Sequence, residues 1–422
     1  MAVNRRTFLA GATAGALLPL VMPALAAGTS ARVVIVGGGF GGASLARYLR
    51  RHDPNLSITL IEKDTRFVTC PFSNLVIGGL LKIDDVTFTY DKVKAAGIDV
   101  VEDLAAQIDH DKKTVSTKGG QTFPYDYLVL SPGIQFDWTA IEGYDEAAAQ
   151  KMPHAWLAGA QTTLLRSQLE AMEDGGLVVI APPAMPYRCP PGPYERASLI
   201  AWYLKNNKPK SKIKILDASD GFIKQDLFME AWGKLYPGMI DWVSASNSGK
   251  VSKVDPSTMT VSTDFDDYKA AIANIIPPQK AGQIAIDAGL DEGTGWCAVN
   301  PITFESTVRK GIYVVGDASL AGEMPKSGFA ANNQAKACAR AILADIAGRQ
   351  PSPSKLINVC YSTVEPDYAF EIVDDFTQTS DNIGLTYPDD RESPLKQSDA
   401  FHKREADNAK SWYANITAEM FG

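Results

Sequence analysis

The sequence predicts an α/β protein with two Rossmann-like dinucleotide-binding domains and a C-terminal interface domain. The first domain is split in sequence, and the second has the architecture without its nucleotide. Three observations predict this. "ARVVIVGGGFGGASLARYLRRHDPNLSITLIEKD" reads as a buried strand, a glycine turn, a helix and a second strand ending in an acid. "YDYLVLSPG" and "TVRKGIYVVGDAS", far apart, each read as a strand ending in a small-residue turn. Between them "GGLVVI", "YERASLIAWYLKNN" and "SKIKILDAS" repeat the strand–helix–strand rhythm.

Before the first strand, "VNRRTFLAGATAGALLPLVMPALAA" has twin arginines (Arg5, Arg6), an apolar stretch and an Ala-x-Ala type cleavage site. Residues 1–27 are therefore expected to be a removable twin-arginine export signal, and the chain a periplasmic protein. Glycine, proline and alanine dilute the apolar stretch, which argues against an anchor, and no later run is long enough to span a bilayer. The formal charge of −8 sets nucleic acid aside as a partner. The four histidines are scattered, so no metal site is expected, and no C-x-x-C-H occurs for haem attachment.

In the opening motif Gly37 makes the tight turn, Gly39 admits a pyrophosphate and Gly42 lets helix and strand pack closely. The helix start offers free N–H groups to phosphate, and Glu62 can accept from ribose hydroxyls. The two later strand-and-turn segments resemble the paired motifs of the two-dinucleotide-binding-domain flavoproteins, the disulfide reductase superfamily. That resemblance implies FAD, with Asp317 of the Gly-Asp pair on the ribityl chain. The helix after "MPKSG" would face the flavin pyrimidine, and Lys326 would support the charge of the reduced ring. The expected FAD-binding domain covers 28–150 and 275–345, the central domain 151–274 and the C-terminal domain 346–422.

The central domain departs from its template at the turn "APPAMPYRCPPGP". Pro182, Pro183, Pro186, Pro190, Pro191 and Pro193 remove six backbone donors, and no glycine is placed to admit a pyrophosphate. The turn carries Cys189 instead, and Cys360 follows the close of the FAD domain in "LINVCYSTVEPDYAF". A structural bridge between them, worth about 5 kcal/mol on the chain-entropy account, and a redox pair over a flavin fit the spacing equally. Five cysteines leave at least one unpaired within the chain, and Cys297 and Cys338 read as packing.

Beyond these motifs, "CPPGPYERAS", "IPPQKAG", "GWCAVN", "GDAS…MPKSGFAANNQ", "CYS" and "SWYANI…FG" closely resemble segments of the flavin-binding subunits of flavocytochrome c sulfide dehydrogenases. The resemblance covers the whole chain after the export signal. It implies that Cys70, in "FVTCPFSN", binds FAD covalently through a thioether, and that Cys189 and Cys360 form a redox-active disulfide beside the flavin. It also implies sulfide as substrate, sulfur or polysulfide as product, and a c-type cytochrome subunit on a separate chain as electron acceptor. Pro71-Phe72 after the flavin cysteine is a departure that bears on the geometry of the link. Glu195 is a candidate proton-transfer group, against an exposed carboxylate at a helix start, and Trp412 a candidate lining residue. The rivals are a sulfide:quinone reductase, disfavoured by the polar "YPDDRESPLKQSDAFHKREADNAK", and an accessory flavoprotein that reactivates a partner protein's cysteine.

Overall fold

A computed structural model describes residues 30–388 and 391–422. The expected export signal lies outside the described residues.

"RVVIV" forms a strand at Arg32–Val36 because four successive apolar residues are buried on both faces, as in the middle of a parallel sheet. It pairs in parallel with Ser57–Glu62 on one side and Tyr127–Leu130 on the other. Asp99–Glu102 and Ile312–Val314 complete a five-stranded, all-parallel sheet. Ile312–Val314 joins this sheet across a long insertion, so the Gly316-Asp317 turn that follows it opens at the same sheet end as Gly37.

The insertion builds a second parallel sheet, ordered Ile240–Val243, Lys212–Leu216, Leu177–Ala181, Ile272–Ile275. The helix Gly192–Asn207 crosses over between Leu177–Ala181 and Lys212–Leu216. Each parallel sheet carries a small antiparallel meander, 105–124 in the first and 251–269 in the second.

The last part is an antiparallel sheet of Lys355–Glu365, Tyr368–Gln378 and Ile383–Leu385, followed by the helix Asp399–Phe421. That helix packs aromatic on aromatic against the first domain. Tyr413 stacks on Phe72 at 4.2 Å, and Phe421 on Phe88 at 5.1 Å. The Tyr413 hydroxyl also shares a 2.6 Å hydrogen bond with Thr69. The C-terminus thus clamps the segment that carries Cys70. Among the described residues no helix is long and apolar enough to cross a membrane.

Candidate active site

The glycine turn sets the first half of the site. Gly37 has φ +97°, and a Cβ there would meet the Ser131 carbonyl oxygen at 2.2 Å. At Gly42 a Cβ would fall 1.8 Å from the Gly37 oxygen, so helix and strand touch through this residue. A Cβ on Gly39 would meet only the Phe67 ring, at 3.2 Å, and Gly39 lines an open cleft. Glu62 lines the same cleft and accepts N–H donors from Gly38 at 2.7 Å and Asp64 at 3.1 Å.

The cleft, about 600 Å³, runs from Glu62 past the glycines to Asp317 and the first turn of the helix Gly328–Ile346. Ser327 caps that helix by accepting from the Ala330 N–H at 3.0 Å. Asp317 is surrounded by protein on its other sides, and its Oδ1 has no protein partner. Burial pushes its carboxyl up, while Arg188, 3.8 Å away, and Lys326 pull it back. An orphaned acceptor beside a glycine-lined cleft fits a polyol hydroxyl, and the whole donor set fits a flavin dinucleotide.

The cleft meets a smaller pocket of about 90 Å³, and Cys70, Pro71, Arg188, Ser327 and Gly328 line both. Cys189, Glu195, Arg196, Cys360 and Trp412 line the smaller one. Cys189 sits at φ +55°, a left-handed conformation that a non-glycine residue keeps only where its surroundings impose it. Its N–H donates to the Lys326 carbonyl at 2.8 Å, and its own carbonyl accepts from Gly192 at 2.8 Å. The Arg188 N–H donates to Gln279 at 3.0 Å and the Tyr187 hydroxyl to the Pro190 carbonyl at 2.9 Å. The proline-rich turn is therefore braced on both sides of the sulfur.

Cys360 comes from the Lys355–Glu365 strand, and its thiol and that of Cys189 are hydrogen-bonded to each other. All five cysteines are unbridged. The pair is asymmetric. The hydrogen bond from Cys189 and the charge of Lys224 hold the Cys360 thiol down, whereas the same contact and burial hold Cys189 up. Cys297 and Cys338 are buried elsewhere, their thiols raised by desolvation.

Glu195, in the first turn of the Gly192–Asn207 helix, is turned into the pocket rather than to solvent. Burial, and then negative charge on Cys360, push its carboxyl up to about 8, against the pull of Lys224, Arg196 and a hydrogen bond from Asn74. Arg196 is 2% exposed and holds four oxygens, those of Asn74 and Asn274 and the carbonyls of His154 and Ala155, at 2.6–3.0 Å. Trp412 lies between Phe329 and Tyr361, each ring 6.0 Å away.

Lys326 packs against Cys189 and Asp317, but its ammonium is not turned into the cleft. Its ammonium donates to the carbonyls of Asp317 at 2.9 Å and Ser319 at 2.8 Å and sits 3.7 Å above the Trp296 ring. It lines neither the cleft nor the small pocket, facing a separate cavity. Burial drives it down to about 8. Arg188, Arg196, Trp156 and Lys224 are not among the site residues expected from the sequence, although Arg188 and Arg196 stand in the segments quoted around Cys189.

In the central domain the acid that ends the second strand, Asp217, is fully buried. It accepts from the Tyr194 hydroxyl at 2.5 Å, the Trp242 indole at 2.9 Å and the Ser219 N–H at 2.9 Å. Phe222 stacks on Tyr194 at 3.6 Å and meets the Trp242 ring edge-on at 5.4 Å, so both side-chain donors to Asp217 are themselves packed.

Comparison with known proteins adds to this geometry. Residues 162–277 match the family described as sulfide dehydrogenase (flavocytochrome c) flavoprotein chain, central, and 352–421 match its flavin-binding region. Residues 31–163 match the pyridine nucleotide-disulphide oxidoreductases. A 45-residue stretch, 11% of this chain, is 71% identical to the sulfide dehydrogenase (flavocytochrome c) flavoprotein chain of Chlorobaculum thiosulfatiphilum and covers 94% of that sequence. The sulfide-quinone reductase of Aquifex aeolicus is 25% identical over 81% of this chain and 83% of its own. The mitochondrial sulfide:quinone oxidoreductase of Mus musculus is 20% identical over 68% of this chain and 65% of its own. The solved structure of the Aquifex aeolicus sulfide:quinone oxidoreductase has the same fold, with a TM-score of 0.76 at 21% identity over 93% of this chain and 92% of that one.

Proposed function

Because the chain belongs to the family of flavocytochrome c sulfide dehydrogenase flavoprotein chains, we propose that it is the flavoprotein subunit of a periplasmic sulfide dehydrogenase. It oxidises sulfide to sulfur or polysulfide through a Cys189–Cys360 disulfide and passes the electrons to a separate c-type cytochrome subunit. The observation that carries this reading is the junction at Cys70, where the dinucleotide cleft opens into the pocket of the cysteine pair.

FAD in the cleft, linked through Cys70, supplies a two-electron acceptor that can release electrons singly. Gly37, Gly39 and the start of the Gly42–His52 helix would hold its pyrophosphate, Glu62 its adenosine ribose and Asp317 its ribityl chain. Hydrosulfide attacks one sulfur of the bridge and releases the other as a thiolate. Arg196 and Lys224 favour anions in the pocket, Glu195 holds a proton at neutral pH, and Trp156 and Trp412 wall off water. The twin-arginine signal expected at 1–27 supports the periplasmic reading.

The test is Cys360→Ser. Sulfide should no longer bleach the flavin, while FAD stays bound. If bleaching survives, the cysteine pair is structural. Assays with a c-type cytochrome and with a quinone as acceptor separate this reading from that of a sulfide:quinone reductase. Activity only with an added sulfur-carrier protein would favour the accessory role.

A further inference from the structure

Lys224 stands in the turn before the Gln225–Leu235 helix, at φ +63°, and is 1% exposed. Its N–H donates to Glu392 at 3.2 Å, and its ammonium reaches the carbonyl oxygen of Cys360 at 2.6 Å. The Phe370 ring lies 5.6 Å from the same nitrogen. Among the described residues no carboxylate comes within ion-pair distance of that ammonium. A buried cation without a counter-ion is costly, and a left-handed backbone adds to the cost. The fold nevertheless holds it against one strand residue, the one that carries the Cys360 thiol.

We propose that Lys224 is a positioning residue that fixes the polarity of the cysteine pair, holding negative charge on Cys360 so that Cys360 is the sulfur released and Cys189 the sulfur attacked. The substrate in this inference rests on the sulfide reading above; the electrostatics do not. In the step, the hydrosulfide sulfur bonds to Cys189 Sγ as the Sγ–Sγ bond breaks. The hydrosulfide keeps its proton and is oxidised to a persulfide on Cys189. The electron pair of the broken bond stays on Cys360, which is reduced to a thiolate. A thiol whose anion is stabilised is the better leaving group, which is why the side bearing the cation leaves.

The other charges near the pair are placed differently. Glu195, from the Gly192–Asn207 helix, opposes charge on both sulfurs, and Asp374, from the neighbouring strand, opposes charge on Cys360. Arg196 acts on Cys189, whose turn also precedes the first turn of that helix, so both favour charge on the wrong sulfur. Lys224 acts on both sulfurs, and it is the cation that acts on Cys360 against these opposing groups.

The experiment uses reduced holoprotein, iodoacetamide at a series of pH values, and peptide mass spectrometry to read Cys360 and Cys189 separately. In the unmodified protein Cys360 should react about tenfold faster than Cys189 at pH 7, with a midpoint below that of a free cysteine. In Lys224→Met and Lys224→Gln, checked for folding by circular dichroism, the preference should shrink and the midpoint should rise. Lys224→Arg should restore both. An unchanged midpoint in a folded neutral variant overturns the proposal. So do equal rates and midpoints for the two cysteines in the unmodified protein, which decide the matter if neither neutral variant folds. Alkylation needs no sulfide, so a protein whose flavin sulfide fails to bleach can still pass this test.

Discussion

The Cys70 thiol donates to the carbonyl oxygen of Trp156 at 3.5 Å. The Arg188 guanidinium donates to the same oxygen, so one carbonyl holds both the candidate flavin ligand and the arginine beside Asp317. If the thioether forms, acid-precipitated protein keeps its yellow colour. Cys70→Ser should release all of the FAD to the supernatant on precipitation, read by absorbance near the flavin band. Colour retained by the variant would place the link elsewhere.

The glycines separate folding from binding. Gly42→Ala forces a Cβ against the Gly37 oxygen at 1.8 Å and should cost about 3 kcal/mol in urea unfolding. Gly39→Ala meets only an aromatic edge at 3.2 Å. It should unfold close to the unmodified protein yet lose FAD, because the added methyl stands where a pyrophosphate approaches. Equal FAD content in the two variants would argue against a phosphate site at Gly39.

Glu195, with its carboxyl at about 8, is protonated at neutral pH in the reduced pair and ionises above that. Its folded value lies above its unfolded one, so the stability it confers is whole below the ordinary carboxylate range and is lost as pH rises through about 8. Glu195→Gln should therefore melt higher than the unmodified protein at pH 9, with the difference closing as pH falls. The pH profile of sulfide-dependent bleaching should lose a limb near 8. A limb that persists in the variant belongs to another group.

Arg196 is a test of packing by charge. Replacing it with methionine leaves the side-chain oxygens of Asn74 and Asn274 and two backbone carbonyls without their donor. The expected loss is about 3 kcal/mol by chemical denaturation. Arg196→Lys recovers only part, since an ammonium cannot span four acceptors in one plane.

The sequence carried the parts of this site that are local. Gly37, Gly39, Gly42 and Glu62 could be read because turn, close approach and strand end lie within one strand–helix–strand unit. The prolines around Cys189 announced a stiff turn for the same reason. Glu195 could be named but not placed, since a helix start is usually solvated, and this one is covered by Asn74 and the Lys355–Glu365 strand, both far away in sequence. Lys224 had no signature at all, and Arg196 stood in "CPPGPYERAS" with nothing to mark its role. Their roles come from being buried by chain far away in sequence, and an isolated basic residue reads as surface. Lys326 was read by its neighbours in sequence, but its side chain turned to two carbonyls and an indole instead of the cleft.

The sealing of Asp217 has a consequence for anyone wishing to give this scaffold a nicotinamide partner. Exchanging the prolines for glycines would return backbone donors to the turn but leave the acid gripped by Tyr194 and Trp242 beneath the Phe222 ring. A nicotinamide site here would need two separate changes, one in the main chain of the turn and one in the aromatic packing around Asp217. A substitution at either place alone would leave the other as it is.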